Sequence, residues 1–363
     1  MVDGGDGPGQ GAQDPVAARM TEGSASQTEA TAYATLRQWV AESTRVPMLT
    51  AAAQLGLADL LADGPQPVGA LAEATATHAP SLHRFLRALA ALGVFTDEGD
   101  GRYGLAPLGA CLRREAPRSL RATALWAGSA RRVASWAELA YSVQTGRPAF
   151  ERVYGMDVWQ YLDAHPEAAA TFNQHLAAVR PERHAAVVAA YDFSAVRTLV
   201  DVGGGFGQLL AAVLGAYPDL RGVLFDLPSA VGHAPETLAA AGVADRCELV
   251  GGDMFTAALP RGDAYVLSNV LHDWGDEQSD ALLRNCRRAL AGGARLLLVE
   301  QVVTPGDTPV STLLNDVNML VNMPGGRQRT EAEFGAMLSR AGFRLTRTIP
   351  TASDASILEG APG

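Results

Sequence analysis

The sequence predicts an α/β protein in which a doubly wound sheet follows a small helical domain with a β-hairpin. From residue 198 onward, apolar β-type runs alternate with helix-compatible runs, which is typical of a parallel sheet. The first strand, 198–202, leads into Gly203, Gly204 and Gly205, and a helix-compatible run follows from Gln208. Strand, glycine turn and helix in that order form the first unit of a doubly wound fold.

Length and composition exclude several classes of protein. The chain of 363 residues is long enough for two domains, and its 48% hydrophobic and 19% charged residues are ordinary for a soluble globular protein. All 29 basic residues are arginine, which excludes chemistry that needs a lysine, such as Schiff-base or P-loop sites. The net charge of −10 argues against nonspecific nucleic-acid binding.

The cysteines and the lack of export signals indicate the compartment. Cys111, Cys247 and Cys286 are far apart and odd in number, so we expect free thiols in a reducing cytosol and no metal site. The sequence has no basic start followed by an apolar segment, and no apolar run reaches membrane-spanning length. We therefore expect a cytoplasmic protein that does not bind a membrane.

Two segments are expected at the N-terminal end of the sequence, ahead of the α/β domain. Residues 1–28 have almost no large apolar side chains to bury, so we expect them to be disordered. Residues 29–118 have the pattern of a winged helix. Its predicted elements are helices at 29–61, 68–73 and 82–92, the last capped by Ser81, and a hairpin of 94–96 with 102–105.

A winged helix also suits a DNA-binding regulator, and its charge weighs against that alternative. Residues 42–118 contain 8 acidic and 7 basic side chains, so the domain lacks the basic surface of a DNA binder. Leu36, Trp39, Val40 and Leu49 offer more apolar surface than one small domain can cover. We therefore expect this domain to form a homodimer and to supply part of a substrate wall, and we expect no nucleic-acid partner.

The segment 119–192 is predicted to be helical and is rich in spaced aromatic residues. Such spacing is more typical of a hydrophobic core than of a ligand site. Met156, Trp159 and Phe172 nevertheless lie just before the α/β domain, where a lid over a flat substrate would be built. They are candidate substrate-binding residues.

The α/β domain is predicted to occupy residues 193–363. Its strands are predicted at 198–202, 222–226, 247–251, 264–268, 295–299, 344–350 and 355–358, and its later helices at 277–290, 311–322 and 330–341, the last with a capping box of Thr330 and Glu333.

The glycine turn predicts the kind of ligand. A dinucleotide-binding turn has the pattern G-x-G-x-x-G, and Gln208 stands where the third glycine would be. Asp201 comes just before the turn and would repel a pyrophosphate. An acid there suits a ligand that brings positive charge, such as the amino group and sulfonium of S-adenosylmethionine. Gly203, Gly204 and Gly205 would let the backbone approach it closely.

Two further strand ends carry acids that suit the same ligand. Asp226 stands 23 residues after Gly203, followed by Leu227, at a distance where an acid can hold ribose hydroxyls. The alternative role for Asp226 is a cap on the next helix. After the third strand, Asp253 can take an adenine amino group while Met254 or Phe255 covers the ring.

These motifs stand in one order with Leu-His-Asp-Trp at 271–274 and Pro-Gly-Gly at 324–326 before Arg329-Thr330. The ordered set resembles the S-adenosylmethionine-dependent O-methyltransferases of the plant caffeate/flavonoid type, and most closely the bacterial branch that modifies aromatic natural products and antibiotics. The resemblance implies a Rossmann-like class I methyltransferase domain with a mostly parallel seven-stranded sheet, and an N-terminal winged-helix dimerisation domain. It implies a small aromatic acceptor, S-adenosylhomocysteine as product and no metal.

The resemblance also implies roles for individual residues. His272 matches the general base that takes the phenol proton, and Asp273 and Glu300 match the positions that orient or polarise it. Such a base suits the chemistry, because a phenol is a poor nucleophile until it loses its proton. Ser268 is added to the cofactor-binding residues. The additional candidate acceptor-binding residues are Asn269, Met319, Asn322 and Met323.

The sequence departs from the family pattern at two places. Gln328 stands where the family often has a glutamate beside the base, so a second flanking carboxylate is missing. Ser268 and Asn269 end the fourth strand, where plant members tend to have a lysine and an aromatic residue.

Alternative functions stay open at this point. A nicotinamide oxidoreductase would share the sheet but is disfavoured by Asp201 and Gln208. A relative of this fold can also methylate nitrogen or carbon, or use the bound cofactor for hydroxylation, decarboxylation or rearrangement. His272 and Glu300 favour O-methylation among these.

Overall fold

The fold is taken from a computed structural model, which describes residues 15–179, 181–290 and 293–363, and of residues 15–28 only the backbone. The segment 1–28 was expected to be disordered. Residues 1–14 lie outside the described residues, and residues 15–28 belong to the first helix. Among the described helices, none is both long and apolar enough to cross a membrane.

From residue 15 onward, where the structure describes the chain, the N-terminal region contains six helices and a small antiparallel sheet in the order β1-β3-β2. Its helices are α1 (Pro15–Glu42), α2 (Arg45–Gln54), α3 (Leu57–Leu60), α4 (Val68–Ala74), α5 (Ala79–Ala91) and α6 (Pro107–Ala110), and its strands are β1 (Gln66–Pro67), β2 (Phe95–Gly99) and β3 (Arg102–Leu105). Helices α4 and α5 followed by the β2–β3 hairpin form the expected winged-helix pattern.

Two details of this region differ from the sequence expectation. The helix expected at 29–61 is broken into three, because the chain turns at 43–44 and again at Gly56, whose φ of 65° lies in the left-handed region that favours glycine. Ser81 is not the cap of α5. The helix begins two residues earlier, with Pro80 in its first turn, and Ser81 Oγ instead lies 3.0 Å from His78 Nδ1.

Seven helices connect this region to the large sheet. They are α7 (Arg121–Ala127), α8 (Ala130–Ala137), α9 (Leu139–Thr145), α10 (Ala149–Tyr154), α11 (Val158–Ala164), α12 (Pro166–Val179) and α13 (Pro181–Ala190). Their aromatic side chains pack mostly on one another: Phe150, Tyr154 and Tyr161 form one group with ring centroids 4.9 to 5.5 Å apart.

The α/β domain follows. Its strands are β4 (Thr198–Val202), β5 (Arg221–Asp226), β6 (Cys247–Gly251), β7 (Ala264–Ser268), β8 (Arg295–Glu300), β9 (Val302–Val303), β10 (Arg329–Thr330), β11 (Phe343–Pro350) and β12 (Ser356–Pro362), and its helices are α14 (Gln208–Ala216), α15 (Pro228–Val231), α16 (Ala234–Ala240), α17 (Asp276–Ala289), α18 (Val310–Asn322) and α19 (Glu331–Arg340). The predicted capping box of α19 is present, with Thr330 and Glu333 bonded to each other's backbone N–H.

The seven-stranded sheet has the order β11-β12-β8-β7-β4-β5-β6. Strands β8, β7, β4, β5 and β6 are parallel, and β12 runs antiparallel to both of its neighbours. The mostly parallel Rossmann-like sheet is thus confirmed. The strand order reverses between β4 and β7, the place where doubly wound sheets bind ligands outside the carboxyl ends of their strands.

The inner strands of this sheet are buried on both faces. Alternate residues of β4 enter opposite cores, with Val200 and Val202 in one cluster and Leu199 in the other. Because the core fixes these strands on both faces, the residues that follow their carboxyl ends are held at one edge of the sheet.

Candidate active site

The glycine turn after β4 has the backbone that its glycines predict. Gly203 and Gly205 have φ values of 70° and 58°, in the left-handed region. A Cβ at Gly204 would lie 2.5 Å from both the Asp201 carboxyl carbon and a Leu224 methyl, whereas a Cβ at Gly205 would meet nothing within 4 Å. The turn is therefore packed on its inner side and open at Gly205, where a ligand can approach the backbone.

The two acids beside this turn lie in different places. Asp201 is 1% exposed and lies beneath the turn, so its carboxylate supports the loop from inside. Asp226 accepts hydrogen bonds of 2.7 Å from the backbone N–H of both Gly205 and Leu227. Burial raises the pKa of Asp226, and those two N–H donors partly oppose the rise. Asp226 thus joins the end of β5 to the open part of the turn.

The residues after β6 form a local turn. Asp253 accepts from Phe255 N–H at 2.9 Å and from Thr256 Oγ at 3.0 Å. Met254 lies close to Gly203, and the Phe255 ring packs edge-on against Trp274 at 4.8 Å. The three predicted adenine-binding residues therefore stand at the same edge of the sheet as the glycine turn.

His272 and Glu300 form a buried pair. His272 lies in a 3-10 turn after β7, and Glu300 ends the neighbouring strand β8. His272 Nδ1 lies 2.6 Å from Glu300 Oε2, and the two residues are 6% and 0% exposed. The other oxygen of Glu300 accepts from the backbone N–H of Val270 at 3.1 Å and of Leu271 at 2.8 Å. These two donors hold the carboxylate in one orientation.

This arrangement selects the tautomer of the imidazole. An ionised carboxylate can only accept, so Nδ1 carries the hydrogen and Nε2 of the neutral ring carries the lone pair. Nε2 lies 3.4 Å from Asp273 Oδ1. The imidazolium that forms when Nε2 takes a proton would therefore have one carboxylate beside each ring nitrogen, and both stabilise its charge.

Arg329 holds the turn that carries His272. Its side chain is fully buried and donates to the carbonyl oxygens of Leu271 and Trp274, each at 2.8 Å, and it forms an ion pair with Asp276. Gly326 packs so closely on this turn that a Cβ would lie 2.6 Å from His272 O. The Pro-Gly-Gly and Arg-Thr segments recognised in the sequence thus support the backbone of the turn.

A cavity of about 370 Å³ lies between the helices of residues 119–192 and the α/β domain, and His272 and Asp273 are in its wall. Of the seven predicted acceptor-binding residues, five line it: Phe172, Asn269, Met319, Asn322 and Met323. Met156 and Trp159 do not. Trp159 instead stacks on Trp274 at 6.1 Å and packs edge-on to Phe172 at 6.3 Å, so it supports the wall from behind.

The end of β7 is linked to the connecting helices. Asn269 adopts a φ of 57°, a backbone that asparagine tolerates better than most residues, and its side chain accepts from Arg183 of α13. Arg183 also pairs with Asp354 at 2.6 Å, and Gln301 donates to the same carboxylate at 2.6 Å. Ser268 accepts from the Asn269 amide at 3.1 Å.

Arg131 and Arg132, adjacent residues of α8, also line the cavity and were not among the residues predicted from the sequence. The Arg131 guanidinium lies 4.0 Å above the centre of the Trp126 ring, and Arg132 donates to Asn318 Oδ1 at 2.6 Å. A tandem pair of arginines within an aromatic-rich segment was the available signal, and only the fold places it at the cavity.

Gln328 is 4% exposed, and within the part of the chain that the structure describes neither of its amide atoms has a hydrogen-bond partner. Its backbone N–H donates to Asp316 at 2.7 Å. A neutral amide adds no charge here. Among the described residues, the carboxylates within 4 Å of the His272 ring nitrogens are those of Asp273 and Glu300.

Comparisons with known proteins agree with this geometry. Residues 136–344 match the O-methyltransferase domain family, and residues 41–115 match the O-methyltransferase dimerisation domain. The chain is 44% identical to a phenazine O-methyltransferase of Lysobacter antibioticus over 89% of this chain and 93% of that protein, and 41% identical to the O-demethylpuromycin-O-methyltransferase of Streptomyces alboniger over 87% and 85%.

A solved structure and the range of relatives complete the comparison. The structure of the mitomycin 7-O-methyltransferase MmcR superposes with a TM-score of 0.87 at 36% identity, covering 93% of this chain and all of that chain. Both O- and N-methylating enzymes occur among the similar proteins.

Proposed function

Because this chain belongs to the S-adenosylmethionine-dependent O-methyltransferases, we propose that it methylates a hydroxyl group of a small aromatic acceptor with His272 as the general base. The observation that carries the proposal is the buried contact of 2.6 Å between His272 and Glu300 in the wall of a cavity. It supplies an oriented base, whose Nε2 carries the lone pair, in the wall of a space large enough for a small aromatic molecule.

The residues that would hold the cofactor fit it. Gly205 offers open space beside its backbone, Asp226 stands beside it as a hydrogen-bond acceptor, and Met254 lies close to Gly203 at the same edge. S-adenosylmethionine supplies an electrophilic methyl group when it is bound there. We propose Asp226 for the ribose hydroxyls and Asp253 with Met254 and Phe255 for the adenine.

The chain's own residues then activate and position the acceptor. Nε2 of His272 takes the hydroxyl proton, and Glu300 and Asp273 stabilise the imidazolium that forms. Phe172, Met319 and Met323 hold the apolar ring so that its oxygen faces the methyl donor, which is the positioning that in-line displacement needs.

Replacing the base tests this proposal. His272→Ala should lower turnover by roughly 10²–10⁴-fold, the usual contribution of a positioned base, with little change in S-adenosylmethionine affinity. His272→Gln keeps hydrogen bonding without basicity, so it should behave like Ala. Turnover of both variants is measured by mass spectrometry on a series of substituted naphthols with graded pKa.

The dependence on acceptor pKa is the decisive result. The loss should shrink for naphthols that are already ionised, because a phenolate needs no base. An unimpaired Ala variant with a flat dependence on acceptor pKa would contradict the general-base role. Methylation of matched aromatic amines with no product from the naphthols would instead favour N-methylation.

We also propose that the protein acts as a homodimer through its N-terminal domain. The four large apolar side chains Tyr33, Leu36, Trp39 and Val40 of α1 are 61% to 72% exposed, a patch that a second copy would cover. The match of residues 41–115 to a dimerisation domain supports this proposal.

A further inference from the structure

We propose that the acceptor carries a carboxylate on its aromatic ring and that Arg131 and Arg132 bind this group. The inference rests on the proposed function for its acceptor hydroxyl, and it adds a second recognition point on another wall of the same cavity. The hydroxyl would face His272 of the α/β domain, and the carboxylate would face α8 of the connecting helices.

The charges that line the cavity are not balanced. Among the residues that the structure describes, its wall contains the three arginines Arg131, Arg132 and Arg183 but only two carboxylates, Asp273 and Asp354. Asp354 is paired with Arg183, and Asp273 lies beside His272. Each acid of the wall therefore already has a positively charged or protonatable neighbour, and two arginines remain.

Within the described part of the chain, neither remaining arginine has an acidic partner. Among the described residues, no carboxylate oxygen lies within 4 Å of the Arg131 or Arg132 guanidinium, although twelve other pairs meet that limit. Arg131 is 7% exposed and packs against Trp126, Phe150 and Tyr161. Arg132 is held by the neutral amide oxygen of Asn318. A buried guanidinium without a counter-charge is costly, and an anionic ligand would remove that cost.

Both groups remain cations under ordinary conditions. Burial lowers the pKa of Arg131 to about 10 and also lowers the pKa of Arg132. A pKa of about 10 is still well above neutral pH, so the guanidinium keeps its charge. A planar carboxylate matches the paired N–H donors of a guanidinium, and such charge-assisted hydrogen bonds are stronger than neutral ones.

The rest of the wall suits a flat apolar ring between these two ends. Trp126, Val158, Phe172, Met319 and Met323 line the cavity together with the arginines. Asn318, which orients Arg132, directly precedes Met319 in α18 and also accepts from Asn322 at 3.1 Å. The arginine is therefore fixed relative to the helix that holds the ring.

Calorimetry on ligands that cannot be methylated tests this inference. The probes are 2-naphthoate and the uncharged 2-naphthamide, titrated into the full-length enzyme with S-adenosylhomocysteine present. Wild type should bind the naphthoate at least about tenfold more tightly than the amide. Arg132→Gln should weaken naphthoate binding by about 10- to 100-fold and leave amide binding nearly unchanged, while Arg132→Lys should retain part of the preference.

The controls separate local charge from packing and from net charge. Arg344→Gln removes the same charge from an exposed position of β11 and should leave both affinities unchanged. For Arg131→Gln, the affinity for both probes is measured together with the melting temperature of the variant. The melting temperature is needed because the Arg131 side chain also stacks on Trp126. Equal wild-type affinity for the two probes, or an Arg132→Gln loss of equal size for both, would overturn the carboxylate site.

The result is independent of the general-base proposal. Neither probe has a hydroxyl group, so binding does not require methyl transfer. Charge-dependent binding without any methylation of hydroxynaphthoates, which carry both groups, would contradict the proposed function and support the carboxylate site. Naphthol methylation that depends on His272, together with equal binding of the two probes, would support the proposed function and contradict the carboxylate site.

Discussion

The α/β domain and the helices of residues 119–192 contribute to the same cavity in different ways. The α/β domain supplies groups that follow strand ends and are held by backbone donors, as Glu300 is by Val270 and Leu271. The helices supply side chains that are held by other side chains, as Arg131 is by Trp126 and Arg132 by Asn318. One wall is therefore rigid because of the sheet, and the other depends on how helices pack.

This difference separates chemistry from acceptor selection. Neighbouring strands β7 and β8 bring His272 and Glu300 together because their carboxyl ends meet at one edge. The backbone N–H groups that hold the Glu300 carboxylate belong to the α/β domain and not to the helices of residues 119–192. We infer that the proton-transfer groups belong to the strand ends, whereas the shape and charge of the acceptor are recognised by the helices of residues 119–192 together with α18.

The largest effect is expected on the sheet side, for Glu300→Gln. The glutamine oxygen would keep the N–H donors of Val270 and Leu271 and turn its NH₂ group toward His272 Nδ1. Nδ1 must then accept, so Nε2 carries the hydrogen and cannot take a proton from the acceptor. Turnover should fall on the order of 10²–10⁴-fold, as expected when a base is held in the wrong tautomer.

Steady-state kinetics with a naphthol acceptor checks this prediction. Glu359→Gln is the matched control, because Glu359 is also a buried carboxylate of the same sheet but pairs with Arg347 away from the cavity. That control should keep its turnover. A Glu300→Gln enzyme within threefold of wild type and equally stable would show that the tautomer does not matter.

A smaller effect, on cofactor affinity, is expected for Asp226→Ala at the end of strand β5. The change removes the acceptor of the Gly205 and Leu227 N–H groups and the proposed ribose contact. Loss of a charged hydrogen bond costs about 1.5–3 kcal/mol, so S-adenosylhomocysteine affinity measured by calorimetry should fall about 10- to 100-fold. Asp219→Ala, an exposed acid just before β5, is the control. Unchanged affinity in Asp226→Ala would remove this residue from the cofactor site.

The difference between strand-end groups and helix-borne side chains also explains how much of the fold and of the site could be predicted from the sequence. Strands, glycine turn and strand-end acids follow from local patterns, and the strand order of the fold then brings Glu300 to His272. Local patterns do not show which side of a helix faces a cavity, so Arg131 and Arg132 were missed and Trp159 was assigned to the wall that it only supports. The burial of Asp201 beneath the glycine turn likewise depends on the packed side of that turn, where a Cβ at Gly204 would meet Asp201 and Leu224.

The smallest effect on turnover is expected at the N-terminal patch, which lies in a domain separate from His272. Leu36 and Trp39 are 61% and 67% exposed, so a Leu36→Glu, Trp39→Glu double variant should fold normally. Two acidic groups would be buried without partners in a dimer, so association should be lost. Light scattering at micromolar concentration should give twice the chain mass for wild type and one chain mass for the variant. Leu249→Glu, on edge strand β6 where the leucine is 38% exposed, should remain dimeric. A monomeric wild type, or a double variant that stays dimeric, would show that this apolar face has another use.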